Sequence, residues 1–114
     1  MGFQIKRVYE PPSPSDGTRV LVDRLWPRGV KKADAHVALW LKDVAPSPKL
    51  RIWFHHDPQR FTEFRRRYTS ELEKNPALAE LRKLGRGKPV TLLYAARDPE
   101  VNHALVLKSA LARR

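Results

Sequence analysis

Four short apolar runs, separated by segments rich in Pro and Gly, predict the strands of a sheet. Residues 5–9 are rich in Ile, Val and Tyr and stop at a cluster of prolines that closes on Gly17, which predicts a strand and a turn. Residues 19–25 (RVLVDRL) are typical of a buried strand. Residues 37–44 (VALWLKDV) fit strand or helix periodicity, and we interpret them as a strand. Residues 89–96 (PVTLLYAA) show no alternation, so this strand is expected to be buried on both faces.

Helix starts are marked by a polar residue that directly precedes a proline. A side-chain acceptor at the N-cap and a Pro at the first helical position are typical of a helix start, because the missing N–H would have no partner there anyway. One of these pairs is followed by apolar residues at 61, 64, 68 and 72, which is one stripe of a helix. The pattern predicts one helix over residues 75–84 and a last helix from Pro99 to near Arg113. The four predicted starts are Ser47-Pro48, Asp57-Pro58, Asn75-Pro76 and Asp98-Pro99.

The order of these elements predicts an α/β fold. Three strands, a group of helices, a fourth strand and a final helix indicate a mostly parallel sheet of about four strands covered by helices. We expect a single small domain over residues 1–114. In open sheets of this kind small ligands bind outside the carboxyl ends of the strands. The residues that follow each strand are therefore the first candidates for a site.

Charged side chains follow three of the predicted strands. An ion at the edge of a buried strand loses water at a cost of several kcal/mol, so it needs a partner or a ligand. One interpretation is internal ion pairs, Asp23 with Arg24 or Arg97 and Lys42 with Asp43. The other is an anion pocket, because Arg offers a planar bidentate fork and Lys a point charge. The candidates are Asp23, Arg24, Trp26, Arg28, Lys42, Asp43, Arg97, Asp98, Asn102 and His103.

His103 is the candidate residue for acid–base chemistry. An imidazole exchanges protons near neutral pH, so His103 is the candidate proton carrier, with Asp23 or Asp43 as its orienting or basic partner. The alternative is that His103 is a hydrogen-bonded core residue. Neither a Gly-rich phosphate loop nor a serine nucleophile elbow occurs in the sequence. No metal site is predicted, because the adjacent His55 and His56 lack further ligands at workable spacing.

Composition limits the class of protein. The chain of 114 residues carries 23 Lys plus Arg against 12 Asp plus Glu, a net charge of +11, and no Cys. Disulfide scaffolds and Cys-based zinc folds are thereby excluded, and a cytoplasmic location is expected without export or a membrane partner. The basic charge makes nucleic acid an alternative partner, through the Arg run at 65–67 among others. Consecutive helix residues point about 100° apart, however, so this run does not form one patch.

Three long strings resemble a known family. They are VYEPPSPSDGTRVLVDRLWPRGVKK, WLKDVAPSPKLRIWFHHDPQRFTEFRRRY and VTLLYAARDPEVNHALVL, and they resemble the YeaO-like branch of the bacterial domain of unknown function family 488. The resemblance implies a small cytoplasmic α/β protein and assigns no activity. Other branches of that family carry a Cys-rich pattern ending in Cys-His-Arg. The His of that pattern corresponds to His103, whereas its thiol chemistry has no counterpart in this Cys-free chain.

The family's motif positions coincide with the strand exits and add Trp40 to them. Trp26 and Trp40 either stack on a planar ligand or pack in the core. The hypothesis is a pocket at the carboxyl end of the sheet that binds a small anionic ligand, phosphate- or carboxylate-bearing and planar if the Trp rings stack on it. Acid–base catalysis by His103 is its enzymatic version. A nucleic-acid-binding module is the first alternative, and haem, with a His ligand and Arg for the propionates, is the second.

Overall fold

The computed structural model of the protein describes residues 2–113. Within that range four strands form one parallel sheet in the order β1-β4-β2-β3, which confirms the predicted α/β class. Helices α2 to α5 pack on one face of this sheet, around Val20, Leu92 and Tyr94. The strands are β1 (Phe3–Arg7), β2 (Thr18–Leu21), β3 (Leu39–Trp40) and β4 (Val90–Tyr94). The helices are α1 (Lys32–Ala35), α2 (Pro48–Phe54), α3 (Phe61–Glu73), α4 (Pro76–Leu84) and α5 (His103–Ala112).

Strand β4 lies between β1 and β2, and all five of its residues are buried. Leu92 and Tyr94 point into the core under the helices, whereas Leu93 packs with Leu21 and Val8 in a smaller cluster on the other face. The expectation of a strand buried on both faces is confirmed. No helix among the described residues is long and apolar enough to cross a membrane.

Strand β3 is much shorter than the predicted segment 37–44. Only Leu39 and Trp40 pair with β2, and the chain then turns into a 3-10 helix over Lys42–Val44. The strand assignment is therefore confirmed for residues 39 and 40 and wrong for both ends of the segment. Because β3 ends at Trp40, Lys42 and Asp43 lie in the 3-10 helix and not at the end of a strand.

The first three predicted helix starts are confirmed. The Ser47 side chain accepts a hydrogen bond from Leu50 N at 3.2 Å and caps α2. Asp57 caps a 3-10 turn, Pro58–Arg60, that continues into α3. The Asn75 side chain accepts from Ala77 N at 2.9 Å at the start of α4.

The fourth predicted start, at Asp98-Pro99, is wrong. The Asp98 carboxylate accepts from Glu100 N at 2.8 Å and closes a turn. Helix α5 begins at His103, because the side chain of the buried Asn102 accepts from Leu105 N at 2.9 Å and supplies the N-cap. The Asn102 amide also donates to Asp98 O at 2.8 Å, so one side chain joins the turn to the helix.

Removing the true cap should therefore cost more than removing the apparent one. We expect Asn102→Ala to lower the free energy of unfolding by about 1–2 kcal/mol, the usual range for a lost N-cap. Asp98→Ala, at an exposed position before the helix, should cost much less. Urea denaturation of both variants measures the difference, and equal losses would contradict the assigned start of α5.

A buried charge cluster lies on the sheet face away from α2 to α5. Asp16 is 4% exposed, and its carboxylate contacts Lys6 Nζ at 3.0 Å and Arg19 Nη1 at 2.5 Å. The backbone N–H of Ser13 donates to the same carboxylate at 2.9 Å. Arg19 also donates to the Ala35 carbonyl, at 2.9 Å from Nη2. These contacts fix the segment before β2 against β1 and the end of α1.

Candidate functional site

A cleft of about 660 Å³ lies at the carboxyl ends of the strands. It is bounded by the segments that follow β1, β2 and β4 and by one end of α2. This is where ligands bind in open α/β sheets. The residues predicted from the sequence that line the cleft are Asp23, Arg24, Trp26, Arg28, Arg97, Asp98, Asn102 and His103.

The structure places Trp40, Lys42 and Asp43 outside the cleft lining. Lys42 Nζ lies 4.6 Å from the centroid of the Trp40 ring, and Trp40 Nε1 donates to Asp23 O at 2.7 Å. The backbone carbonyl of Asp43 accepts from Asn75 Nδ2 at 2.8 Å, beside α4. The expectation that these three side chains join the others is corrected. Trp40 lies within β3 and packs in the smaller cluster with Leu21 and Leu93, and Lys42 and Asp43 follow an early end of β3.

Trp26 both packs and lines the cleft. Its Nε1 donates to Val30 O at 2.7 Å, which closes the loop after β2. Its ring meets the Trp40 ring edge-on, with centroids 5.5 Å apart and planes at 71°. The packing interpretation therefore accounts for Trp40 and for part of Trp26.

His103 and Asp23 meet at the inner wall of the cleft. His103 Nε2 lies 3.2 Å from Asp23 Oδ1 and 3.1 Å from Val22 O. Both neighbours are acceptors, so Nε2 carries a hydrogen, and its hydrogen bond goes to Val22 O. Asp23 Oδ2 accepts from Ala95 N at 3.0 Å, whereas Oδ1 is buried without a hydrogen-bond partner among the described residues. The imidazole is the side chain nearest to that oxygen among the polar contacts of the described residues.

Tyr68 forms the floor beneath this pair. Its ring lies 6.2 Å from the His103 ring, and its hydroxyl donates to Val44 O at 2.7 Å. Burial raises the pKa of Tyr68 well above its usual value, and the nearby Glu71 and Asp23 raise it further. The phenol therefore stays protonated and serves as a fixed donor to the backbone.

The arginines of the cleft are free of carboxylate partners among residues 2–113. Arg24 is half-buried and makes only long contacts, 3.3 Å to Pro46 O and 3.4 Å to Ala45 O. Arg28 and Arg97 are exposed. The alternative interpretation, in which Asp23 pairs with Arg24 or Arg97 and Lys42 with Asp43, is wrong for this part of the chain.

Sequence reasoning missed several residues of the cleft. Tyr9 is the last residue of the predicted strand 5–9 but lies two positions beyond the end of the observed β1, so the strand-exit rule passed over it. Arg51 lies on α2 and His56 just beyond its end, and both line the cleft because α2 packs against α3 at its rim. No local signal distinguishes them from other polar helix residues, since their place depends on tertiary packing.

The amino-acid sequence is similar to those of other proteins and matches one family model. Residues 2–114 match a family model described as the inactive DUF488-N3 subclade. The chain is 52% identical over 111 residues to an uncharacterised protein of Mycobacterium tuberculosis, covering 97% of this chain and 94% of that protein. It is 45% identical over 108 residues to the uncharacterised protein YeaO of Escherichia coli, covering 94% of each. No solved structure matches the chain.

Proposed function

The chain belongs to the DUF488 family, in a subclade described as inactive, and from that premise we propose that it binds a ligand without turnover. The ligand is a small anion that bears a phosphate or carboxylate group, and it occupies the cleft at the carboxyl ends of the strands.

One observation carries the proposal: four arginines line one cleft and none of them has a carboxylate partner among the described residues. They come from three separate segments, Arg24 and Arg28 after β2, Arg51 on α2, and Arg97 after β4. Like charges gathered without a carboxylate in direct contact repel one another, and an anionic ligand reduces that repulsion. A guanidinium also matches phosphate and carboxylate oxygens in a bidentate geometry.

The acidic residues of the cleft lining offset only part of the arginine charge. Asp23 is engaged with Ala95 N and the His103 imidazole. Asp98 accepts from Glu100 N in its own turn. Each carboxylate keeps its charge in these hydrogen bonds, but four arginines against two carboxylates still give the cleft lining a positive excess that favours anions.

The basic surface elsewhere supports nucleic-acid binding less well. Arg66 and Arg67 share the Glu63 carboxylate, at 2.6 and 2.7 Å, and Arg65 lies over the Phe61 ring at 5.3 Å. The Arg run is thus divided between an ion pair and an aromatic contact. Binding to the phosphate backbone of a nucleic acid is favoured by unpaired cations aligned along one track, which this division does not provide.

Acid–base chemistry is a second candidate, favoured by the 3.2 Å contact between His103 Nε2 and Asp23 Oδ1. Val22 O accepts the hydrogen bond from Nε2 and orients the ring, and the Asp23 carboxylate lies beside the same nitrogen, as an acidic partner does in catalytic dyads. It ranks below binding because the matching subclade is described as inactive.

Titration of the pure protein with methyl phosphate tests the proposal. A ligand present at a hundred times its dissociation constant adds about 2.7 kcal/mol to the free energy of unfolding, so we expect a clear rise in melting temperature. Sodium chloride at the same ionic strength is the control for general screening of the +11 charge. An equal rise with chloride, or none with methyl phosphate and acetate, would contradict anion binding.

A further inference from the structure

We infer that the ligand of the cleft carries a flat apolar body beside its anionic group, and that His56 contacts this body. This inference rests on the proposed function and names the chemical class of its ligand: an aryl phosphate or aryl carboxylate, of roughly nucleotide size.

The volume of the cleft exceeds what an inorganic anion needs. A water molecule in the liquid takes about 30 Å³, and a phosphate ion is only a few times larger. The cleft measures about 660 Å³, within the range of pockets that hold whole cofactors and drug-sized ligands. An ion bound by the arginines would leave most of the cleft filled with water.

The cleft also exposes apolar surface that a ligand body would cover. Among the described residues, the large hydrophobic side chains left exposed are Tyr9, Leu25, Leu39 and Ile52, and the first two line the cleft. Leu25 is 63% exposed and Tyr9 is 45% exposed. Tyr9 is held in place, because its hydroxyl donates to Arg28 O at 3.0 Å. Because exposed apolar side chains and arginines line the same cleft, an anion with an apolar body should bind more tightly than an inorganic anion.

His56 is presented to the cleft by an unusual backbone. His55 and His56 are consecutive non-glycine residues in the left-handed region, with φ of 47° and 53°. His55 ends α2 by donating its N–H to Arg51 O at 3.0 Å, which explains its conformation. The N–H of Asp57 donates to Phe54 O at 3.0 Å, so His55 and His56 are the two central residues of a tight turn in which both adopt positive φ. Its ring lies in the cleft lining, 6.2 Å from the Phe54 ring.

The geometry around His56 suits a planar ligand. Phe54 is buried and stacked on Phe64 with centroids 4.1 Å apart, so the base of this wall is rigid. Arg51, one turn earlier on α2, lines the same wall. An exposed imidazole above an aromatic base and beside a guanidinium offers a face for stacking and a cation for the anionic group.

The test compares phenyl phosphate with methyl phosphate by isothermal titration calorimetry. We expect phenyl phosphate to bind at least about tenfold more tightly, because only its ring covers Leu25 and meets His56. Leu25→Ser and His56→Asn should each remove most of this preference while leaving methyl phosphate affinity within about twofold. Asn tolerates the left-handed region, so the backbone turn is kept.

Matched controls separate the cleft from the rest of the surface. Ile52→Ser removes an equally apolar side chain, 70% exposed, that lies outside the cleft lining, and His55→Asn alters the neighbouring left-handed residue. Both should retain the preference for phenyl phosphate. Equal binding of the two probes by the wild-type protein overturns this inference and leaves anion binding standing. Loss of preference in the control variants also overturns it, and failure of both probes to bind overturns the proposed function with it.

Discussion

Asp16→Asn should lower the free energy of unfolding by about 3 kcal/mol at neutral pH. The substitution keeps the shape of the side chain but leaves Lys6 and Arg19 without their shared counter-ion, and Arg19 is only 5% exposed. Removing one partner of a buried ion pair typically costs about 3–5 kcal/mol, because the remaining charge is removed from water without an opposite charge to compensate it. Urea denaturation at pH 7 measures the loss.

The same substitution should also change the response to acid. Burial by itself raises the pKa of Asp16, but hydrogen bonds from Ser13 N, Lys6 and Arg19 outweigh burial and hold that pKa below the ordinary value of 3.8. A carboxylate with a lowered pKa in the folded state stabilises the fold above its unfolded pKa, and that stabilisation is lost as the pH falls through the folded pKa. The difference in unfolding free energy between wild type and variant should be constant above about pH 5 and shrink below pH 4.

Glu63→Gln is the matched control for this prediction. Hydrogen bonds from Arg66 and then Arg67 lower the pKa of Glu63 to about 2, yet this network is on the surface of α3. Solvent and salt screen such pairs, so the variant should unfold at nearly the wild-type urea concentration. A control loss as large as that of Asp16→Asn would show that net charge, and not the buried cluster, sets the stability.

The Arg28→Ala/Arg97→Ala double variant should bind methyl phosphate about a hundredfold more weakly than the wild-type protein. A hydrogen bond to a charged group contributes about 1.5–3 kcal/mol, or about tenfold or more in affinity for each guanidinium. Both side chains are exposed and neither makes an ion pair among the described residues, so the fold should be unaffected. Calorimetric titration measures the affinity.

Arg86→Ala removes one exposed guanidinium from the turn after α4, outside the cleft lining, and serves as its control. It should bind methyl phosphate as the wild-type protein does, apart from the small effect of one lost charge on the general field. Unchanged affinity in the double variant, or an equal loss in Arg86→Ala, would assign the binding to overall charge instead of the cleft.

Local signals predicted much of the fold. A Pro after Ser47 or Asn75 marks a helix start, because the cap and the first turn of the helix involve only neighbouring residues. The uninterrupted apolar run of β4 likewise indicates a strand buried on both faces without reference to distant contacts. At Asp98 the same signal failed because two caps compete within five residues. The Asn102 side chain accepts from Leu105 N in the first turn of α5, whereas the Asp98 side chain accepts from Glu100 N in the turn before it.

The candidate site was predictable where it follows from the end of a strand. Arg24, Arg28 and Arg97 leave β2 and β4 at one edge of the sheet, so the rule for parallel strands brings them together. The same rule was wrong for Lys42 and Asp43, because β3 ends where its pairing with β2 ends. The sequence pattern does not show the length of that pairing. Arg51 and His56 depend on how α2 packs, a tertiary contact with no signature in the local sequence.

A crystal structure of the protein with methyl phosphate tests the central claim most directly. We predict one phosphate group in the cleft at the carboxyl ends of β2 and β4, with its oxygens within hydrogen-bond distance of Arg28 and Arg97. Phosphate bound on the basic surface around Arg82 and Lys83 of α4, with the cleft holding only water, would contradict the account.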